Sequence, residues 1–362
     1  MAVLLNPMTT VRTIRAACTD LPRISTAARL CANEGSTDRQ HFHDLFETIP
    51  ALHLIETVPP LTAPRPLSTT LRIAFWNAER CKYLEPTISL LARSGADVIL
   101  LAEMDVGMAR SGQRHTIREI ATHLGQGYIY GVEFVELDLG DARERQWHKN
   151  QENRDGFHGG GILSPYDLQK PAMIRLESTG DWFDGKRGER RIGGRMAIAA
   201  KLLIGNTSVA LVSAHLESHS DPQERAEQMK ILLAALEVYH GNGPAIIGGD
   251  FNTSTLGHES LTTEQRLSLT TENPTRFTDP VKWEPLFDIA KASGFDWQVA
   301  NAPGPTQRTR PDGTPKPPFG KIDWIFTRGL NAQDPEIVPA VDSTGIAISD
   351  HDLLAVTVSL LN

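Results

Sequence analysis

Polar residues follow several short apolar runs of this sequence, at the point where each run ends. The run "PAIIGGDFN" ends on Asp250 and Asn252, which lie two positions apart. Alternate residues of an extended chain face the same side, so we expect both side chains to point into one site. An acid and an amide placed in this way are suited to orient a water molecule and the oxygens of a phosphoryl group.

The same pattern recurs at other apolar runs. The further polar residues at or beside run ends are Asn77, Glu103, His215, Glu217, Asp323, Asp350 and His351. Acids and amides commonly cap strands, so each residue taken alone is compatible with a structural role. Sites of α/β folds form where strand ends converge, and the whole set therefore predicts one polar pocket.

Three of these residues, Asn77, Glu103 and Asp350, supply hard oxygen ligands. Mg²⁺ prefers such ligands, uses few protein groups and keeps water and substrate phosphate in its shell. The sequence has no HExxH motif, no cysteine cluster and no GxxxxGK[ST] loop, which argues against a zinc protease and a P-loop nucleotide switch. We therefore predict a magnesium site.

The remaining polar residues predict acid–base chemistry. Asp323 and His351 suit a dyad in which a carboxylate orients an imidazole that takes a proton from water. His215 is suited to stabilise charge or to protonate a leaving oxygen. Together with Asp250 and Asn252, these roles describe metal-assisted hydrolysis of a phosphoester.

The charge of the chain bears on its substrate. The sequence has 44 acidic and 36 basic residues, which gives a net charge of −8 at pH 7. Proteins that bind long nucleic acid are usually basic, so a small or lipid-type phosphodiester or phosphomonoester is the first interpretation. A nuclease with a local basic groove is the second. A catalytically inactive binding module is the third, and the complete polar set argues against it.

Arg195, in the basic segment 186–195, is a candidate contact to the substrate phosphate, although such segments are most often solvated loops.

Apolar and amphipathic segments alternate along residues 71–362 and predict an α/β protein with mixed sheets. Strands are predicted at 71–77, 97–103, 196–204, 208–216, 245–250, 321–326 and 353–361. Helices are predicted at 86–95, 114–125 and 221–241. The polar segments 138–158 and 253–320 are predicted to be surface loops.

Residues 1–70 are predicted to form an N-terminal extension that ends in a proline-rich linker at 56–70, and residues 71–362 the catalytic domain. The first twenty residues contain Arg12 and Arg15 and no acid before Asp20. This composition is weakly similar to a mitochondrial transit peptide, but an ordinary surface helix in a cytoplasmic protein is the simpler interpretation. No apolar run approaches the length of a membrane span. Nothing in the sequence predicts an oligomeric state.

Seven motifs occur in the order used by the endonuclease/exonuclease/phosphatase superfamily, the DNase-I-like hydrolases, which residues 71–362 resemble. They are "FWNAER", "LLAE", "GGGILS", "SAHLE", "GGDFN", "KIDWIF" and "SDH". The resemblance implies a four-layer α/β/β/α sandwich of two mixed sheets with outer helices. It also implies a divalent metal, Mg²⁺ or Mn²⁺, and a phosphoester substrate.

The resemblance assigns roles by position. It implies that Asn77 and Glu103 form the metal site and that Asp350 is a further metal or water ligand. Asp250 and Asn252 would handle water and phosphate, and Asp323 and His351 would form the dyad. His215 would correspond to a histidine of the DNase-I, sphingomyelinase and inositol-phosphatase branch. The chain departs from the family pattern after "WN", where Glu79 and Arg80 replace smaller residues, and at "GGGILS", which lacks a common amide.

Overall fold

The computed structural model describes residues 12–60, 68–177, 179–253 and 261–361. In these ranges the chain forms fifteen β-strands, eight α-helices and three short 3₁₀-helices. The strands are β1 (Thr13–Ile14), β2 (Ala17–Cys18), β3 (Ile55–Val58), β4 (Thr70–Arg80), β5 (Val98–Val106), β6 (Gly127–Glu136), β7 (Phe157–Ser164), β8 (Gln169–Arg175), β9 (Arg191–Gly193), β10 (Met196–Ile204), β11 (Thr207–His215), β12 (Ala245–Asp250), β13 (Asp323–Arg328), β14 (Leu330–Val338) and β15 (Leu353–Leu360). The α-helices are α1 (Thr26–Glu34), α2 (Arg39–Thr48), α3 (Leu84–Ser94), α4 (Thr116–Leu124), α5 (Ala142–Trp147), α6 (Pro222–His240), α7 (Thr263–Glu272) and α8 (Leu286–Ala292). The 3₁₀-helices are Pro50–His53, Ala109–Ser111 and Pro280–Lys282.

The strands form two mixed sheets. The six-stranded sheet has the order β1-β8-β10-β11-β12-β13, and the nine-stranded sheet has the order β14-β15-β4-β5-β7-β6-β3-β2, with β9 paired to β6. The neighbours β11–β12 and β4–β5 are parallel, whereas β12–β13 and β15–β4 are antiparallel. The prediction of mixed sheets is confirmed, as are the seven predicted strands, with small shifts of their ends.

Apolar side chains alternate between the two faces of each strand and build three clusters. In β4, Ile73 and Phe75 join the cluster between the sheets, whereas Ala74 and Trp76 join the cluster on the opposite face. Helices α3 and α4 cover that outer face, and α6 and α8 cover the outer face of the six-stranded sheet. This arrangement is the four-layer α/β/β/α sandwich that the resemblance implies.

Helix α6 shows how the sequence determines an outer layer. Asp221 caps its first turn in a capping box with Glu224, and Pro222 occupies the first helical position. Its buried face contains Met229 and Leu232, as predicted. Among the residues that the structure describes, no helix is long and apolar enough to cross a membrane.

Two segments predicted to be surface loops contain helices, so that prediction is wrong. Segment 138–158 contains α5, and segment 253–320 contains α7 and α8. Phe287 of α8 is buried against the six-stranded sheet, and the preceding Glu284 binds the fully buried Arg225 of α6 with an Nη2–Oε1 distance of 2.6 Å. Neither segment shows the apolar periodicity that predicts a helix, because α5 and α8 are short and α7 has no buried residue. The solvated-loop interpretation of 186–195 is likewise wrong for β9 and Arg195, which are buried.

The described residues before position 71 contribute to both sheets. Strand β1 pairs with β8 in one sheet, and β2 and β3 extend the other beyond β6. Phe42 and Phe46 of α2 are buried in the outer cluster of the nine-stranded sheet. Strand β3 occupies the start of the predicted linker, whose residues 61–67 lie outside the described ranges, as do residues 1–11 of the proposed targeting segment. The domain division near residue 71 stays a prediction.

The buried carboxylate of Glu56 ties β3 to α4 and β6. It lies 2.8 Å from His115 Nε2, accepts a hydrogen bond of 2.9 Å from Arg118 Nη2 and accepts another from the Tyr128 hydroxyl. Burial would raise the pKa of Glu56, but His115, Tyr128 and Arg118 outweigh it and lower the pKa to about 2. The ionised carboxylate is therefore part of the folded state at neutral pH.

We expect Glu56→Gln to lower the free energy of unfolding by about 3 kcal/mol at pH 7, because it breaks a buried ion-pair network. The folded-state pKa is depressed, so the contribution is present above the unfolded pKa near 4.5 and is lost as pH falls through about 2. Denaturant unfolding measures the loss of unfolding free energy at pH 7 and at about pH 3, where the loss from Glu56→Gln should be smaller. Glu47→Gln is the control, because Glu47 forms an exposed pair with Arg12 and should cost little. Equal losses in the two variants would contradict it.

Candidate active site

Neighbouring strands bring the candidate residues to one edge of each sheet. In the parallel pair β11–β12, His215 lies opposite Asp250, and in the antiparallel pair β12–β13, Asp250 lies opposite Asp323. In the other sheet, Asn77 and Glu103 lie near the carboxyl ends of the parallel strands β4 and β5. The two edges meet, because Asn77 Nδ2 donates to Asp250 Oδ2 across the sandwich at 2.9 Å.

The "SDH" turn before β15 is fixed against the end of β4. Trp76 Nε1 donates to the His351 carbonyl at 2.9 Å, and Ser349 Oγ donates to the Asn77 carbonyl at 2.9 Å. The backbone N–H of Asp350 donates to the buried Glu79 carboxylate at 3.1 Å. Glu79, which departs from the family pattern, therefore positions this turn.

Non-glycine residues with a left-handed backbone lie at the site. Glu103 has φ 54°, Asn252 has φ 49°, and Glu79 and Arg80 have φ 44° and 68°. Glu103 lies where the register of β5 and β7 shifts, between Leu101 and Met104. Such conformations are uncommon outside glycine and cluster at functional sites, where the surrounding structure maintains them.

Of the predicted site residues, seven line one cleft of about 230 Å³, and Asn77 and Asp323 lie behind it. The seven that line it are Glu103, Arg195, His215, Asp250, Asn252, Asp350 and His351. The structure thus brings all nine predicted residues into one cluster, although they come from seven separate segments of the chain.

The carboxylate of Asp250 is the centre of this cluster. Its Oδ2 atom lies 3.6 Å from His215 Nε2 and 3.8 Å from His351 Nε2. Burial raises the pKa of Asp250, and the neighbouring Asp323 raises it further against the two histidines. A buried carboxylate with a raised pKa is suited to hold a water molecule and accept its proton.

Asn252 holds this carboxylate in place. Its backbone N–H donates to Asp250 Oδ1 at 3.0 Å, and its side-chain amide donates to the Leu216 carbonyl at 3.0 Å. Phe251 between them is fully buried in the outer cluster of the six-stranded sheet. Asp250 and Asn252 thus line the cleft, whereas Phe251 between them packs into the apolar cluster.

His351 is surrounded by three carboxylates. Its Nδ1 atom lies 3.0 Å from Asp323 Oδ2, and its Nε2 atom lies 3.8 Å from both Asp250 Oδ2 and Asp350 Oδ1. Burial would lower the pKa of His351, but Asp323, Asp250 and Asp350 outweigh it and raise the pKa to about 10. The predicted pairing with Asp323 is present, and the raised pKa favours the protonated form of the imidazole at neutral pH.

His215 belongs to a second buried pair. Its Nδ1 atom lies 3.2 Å from Glu133 Oε2, and the same carboxylate accepts a 2.6 Å hydrogen bond from Arg195 Nη1. Burial and Arg195 would lower the pKa of His215, but Glu133 and Asp250 outweigh them and raise it. Arg195 Nε also donates to Glu217 Oε2 at 3.1 Å, so its guanidinium is bound on two sides.

Glu103 has the properties of a metal ligand. Its side chain is partly exposed to the cleft, and Oε1 accepts a 3.2 Å hydrogen bond from Asn77 Nδ2. Within the described residues, no basic side chain forms an ion pair with Glu103. Burial would raise the pKa of Glu103, but Arg80 and the nearby histidines outweigh it and hold the pKa well below its usual range. An ionised carboxylate with an unpaired oxygen fits Mg²⁺ or Mn²⁺.

Asn77 presents its amide nitrogen to the two carboxylates of the site. Nδ2 bridges Glu103 and Asp250, while Oδ1 accepts the Glu79 N–H at 3.0 Å. That oxygen keeps a second lone pair, so the assignment of Asn77 to the metal ion stays a prediction. In this arrangement Asn77 positions the carboxylates.

Several residues of the site have no clear signal in the sequence. Glu133 lies in the buried strand β6, and an acid inside the apolar run "GYIYGVEFVE" is the signal that could have indicated it. Lys316 and Arg310 also line the cleft. They come from the segment "RTRPDGTPKPPFG", which has no periodicity that would place them.

Comparisons with known proteins agree with this architecture. The structure is similar to an endonuclease/exonuclease/phosphatase from Beutenbergia cavernae, with 16% identity and a TM-score of 0.51 over 80% of this chain and 72% of that one. It is also similar to the human nocturnin catalytic domain, with 17% identity and a TM-score of 0.50 over 84% and 100% of the two chains. A mannosyl-6-phosphatase of Bacteroides thetaiotaomicron gives 14% identity and a TM-score of 0.50 over 80% and 100%. No curated protein matches the sequence.

The three solved structures are too distant in sequence to show more than a shared fold. The family model provides the stronger finding, because it matches residues 74–351, which is more than half of the chain. The matched range contains all nine predicted site residues. The chain therefore belongs to the endonuclease/exonuclease/phosphatase family.

Proposed function

We propose that this protein is a divalent-metal-dependent hydrolase of phosphoester bonds that acts on a small or lipid-type substrate. One observation carries the proposal: the Asp250 carboxylate lies within 3.8 Å of nitrogens of His215 and His351 and accepts a hydrogen bond from Asn77. Members of the family are generally phosphoester hydrolases.

Glu103 is the residue that we assign to the metal ion, Mg²⁺ or Mn²⁺. When bound, the cation would neutralise charge on the phosphoryl oxygens. Asn77 keeps Glu103 and Asp250 in fixed positions through its amide nitrogen. Asp350 offers only Oδ1 as a further ligand, because its Oδ2 atom is paired with Lys316.

We assign the proton transfers to Asp250 and His215. Asp250 orients the attacking water and accepts its proton while the water oxygen bonds to phosphorus. The bond from phosphorus to the leaving oxygen breaks, and His215 Nε2 gives a proton to that oxygen. The His351 imidazolium, held by Asp323, donates to a phosphoryl oxygen and stabilises the charge that develops there.

The charges of the cleft support a small substrate. Three of the five arginines that line the cleft, Arg80, Arg191 and Arg195, are each bound to two buried carboxylates. They therefore contribute little free positive charge to a surface for long nucleic acid. The net charge of −8 favours the same conclusion.

A hydrolysis screen tests the proposal. Wild-type protein with Mg²⁺ or Mn²⁺ is incubated with p-nitrophenyl phosphate, bis(p-nitrophenyl) phosphate, phospholipid vesicles, and single- and double-stranded DNA. We expect cleavage of a small or lipid phosphoester that stops with EDTA and resumes when metal is restored. Cleavage of DNA alone would favour a nuclease, and cleavage of nothing in the screen would contradict the proposal.

A further inference from the structure

A loop at residues 306–320 contributes Gln307, Arg310 and Lys316 to the wall of the cleft and is anchored to the "SDH" turn. Gln307 forms a β-bridge with His351, and the Arg308 N–H donates to the Asp350 carbonyl at 3.0 Å. The Asp352 N–H donates to the Thr306 carbonyl at 2.7 Å. The loop is thus held at a fixed distance from the reacting residues.

Two cations of this loop point into the cleft. Lys316 Nζ forms an ion pair with Asp350 Oδ2, and Arg310 Nε lies 3.7 Å from the same oxygen. Their side chains are 25% and 26% exposed, in contrast to the buried Arg191 and Arg195. In the described part of the chain, the two terminal nitrogens of Arg310 have no partner, and Asp350 is the one partner of the Lys316 ammonium. Both cations therefore have donors available for a ligand.

Short contacts connect the two cations to the reacting residues through Asp350 and His351. His351 Nε2 lies 3.8 Å from both Asp350 Oδ1 and Asp250 Oδ2. Asp250 Oδ2 in turn lies 3.6 Å from His215 Nε2. Lys316 and Arg310 contact Asp350, whereas His215 contacts Asp250. The cations are thus beside a different carboxylate from the one that contacts His215, the residue that we assign to the leaving oxygen.

We propose that Lys316 and Arg310 bind the non-bridging oxygens of a phosphomonoester dianion, so that this protein is a phosphomonoesterase. This inference rests on the proposed function. A phosphomonoester has three non-bridging oxygens and, with a second pKa of about 6, carries close to two negative charges at neutral pH. A diester has two such oxygens and one charge. Its second organic group replaces one anionic oxygen, so a diester offers Lys316 and Arg310 fewer anionic acceptors and less negative charge.

Kinetics with a matched pair of esters tests this inference. The kcat/KM values for p-nitrophenyl phosphate and bis(p-nitrophenyl) phosphate are measured for the wild type, Lys316→Met, Arg310→Met and Lys316→Arg. Lys230→Met, on the outer helix α6, is the control. We expect the monoester-to-diester ratio to fall about tenfold in both methionine variants, to recover largely in Lys316→Arg, and to stay unchanged in the control.

Binding of inorganic phosphate, measured by calorimetry, gives a readout that does not need turnover. We expect Lys316→Met to weaken phosphate binding about tenfold, while Lys230→Met has no effect. Equal losses for both esters, or unchanged phosphate binding, would overturn the inference. If neither ester is cleaved by the wild type, the proposed function fails, and the calorimetry still decides whether Lys316 binds phosphate.

Discussion

Replacing Asp250 by asparagine is expected to lower kcat by about a hundredfold or more while the fold and KM change little. An amide cannot accept the proton of the attacking water. The substitution also removes the negative charge of Asp250, whose Oδ2 atom lies 3.6 Å from His215 Nε2 and 3.8 Å from His351 Nε2. The measurement is kcat and KM for one phosphoester at saturating Mn²⁺, together with thermal unfolding. Asp288→Asn, exposed on α8, is the control and should retain wild-type kinetics.

A double variant shows whether Asp250 and His351 act as a unit. His351→Ala should lower kcat to a similar degree, since it removes the donor that Asp323 orients at 3.0 Å. The double variant should lose much less than the product of the two single losses, because groups of one catalytic unit are non-additive. If Asp250→Asn turned over substrate at close to the wild-type rate, Asp250 would be only a structural cap of its strand and the mechanism would be wrong.

Replacing Glu103 by glutamine is expected to raise the Mn²⁺ concentration for half-maximal activity by about tenfold or more and to lower the maximal rate. Glutamine keeps the size of the side chain and its hydrogen bond from Asn77, but it removes the charge. Calorimetric titration with Mn²⁺ measures the affinity without any substrate. Glu227→Gln, exposed on α6, is the control. A Glu103→Gln variant that binds Mn²⁺ as tightly as the wild type would exclude Glu103 from the metal site.

The sequence predicted the strand ends of the site because local patterns determine them. Asp250 follows a short apolar run, and His215 ends another. It did not predict that β11, β12 and β13 are adjacent, which places Asp250 between His215 and Asp323. Strand order depends on long-range pairing, for which a single sequence contains no direct signal.

The charge states of the site could not be predicted for the same reason. The raised pKa of His351 depends on Asp250, Asp323 and Asp350, which only the folded chain brings within 4 Å of its ring. Glu133 is 82 positions from His215 in sequence, yet it contacts that histidine and helps to raise its pKa. The acid–base roles therefore required the tertiary structure.

The loop at 306–320 could not be located from the sequence because nothing periodic indicates where it packs. Its position depends on a β-bridge between Gln307 and His351 and on backbone bonds to the "SDH" turn. These contacts use main-chain atoms, which every residue possesses. From the sequence alone, Lys316 and Arg310 therefore cannot be distinguished from ordinary surface cations.

Attack of water on phosphorus at the Asp250 centre is tested most directly by isotope labelling. A phosphoester that the wild type cleaves is hydrolysed with Mn²⁺ in water enriched in oxygen-18, and both products are analysed by mass spectrometry. We predict one atom of oxygen-18 in the phosphate product, none in the alcohol, and no labelled phosphate above background from Asp250→Asn in the same time. Label in the alcohol, or as much labelled phosphate from Asp250→Asn as from the wild type, would contradict this mechanism.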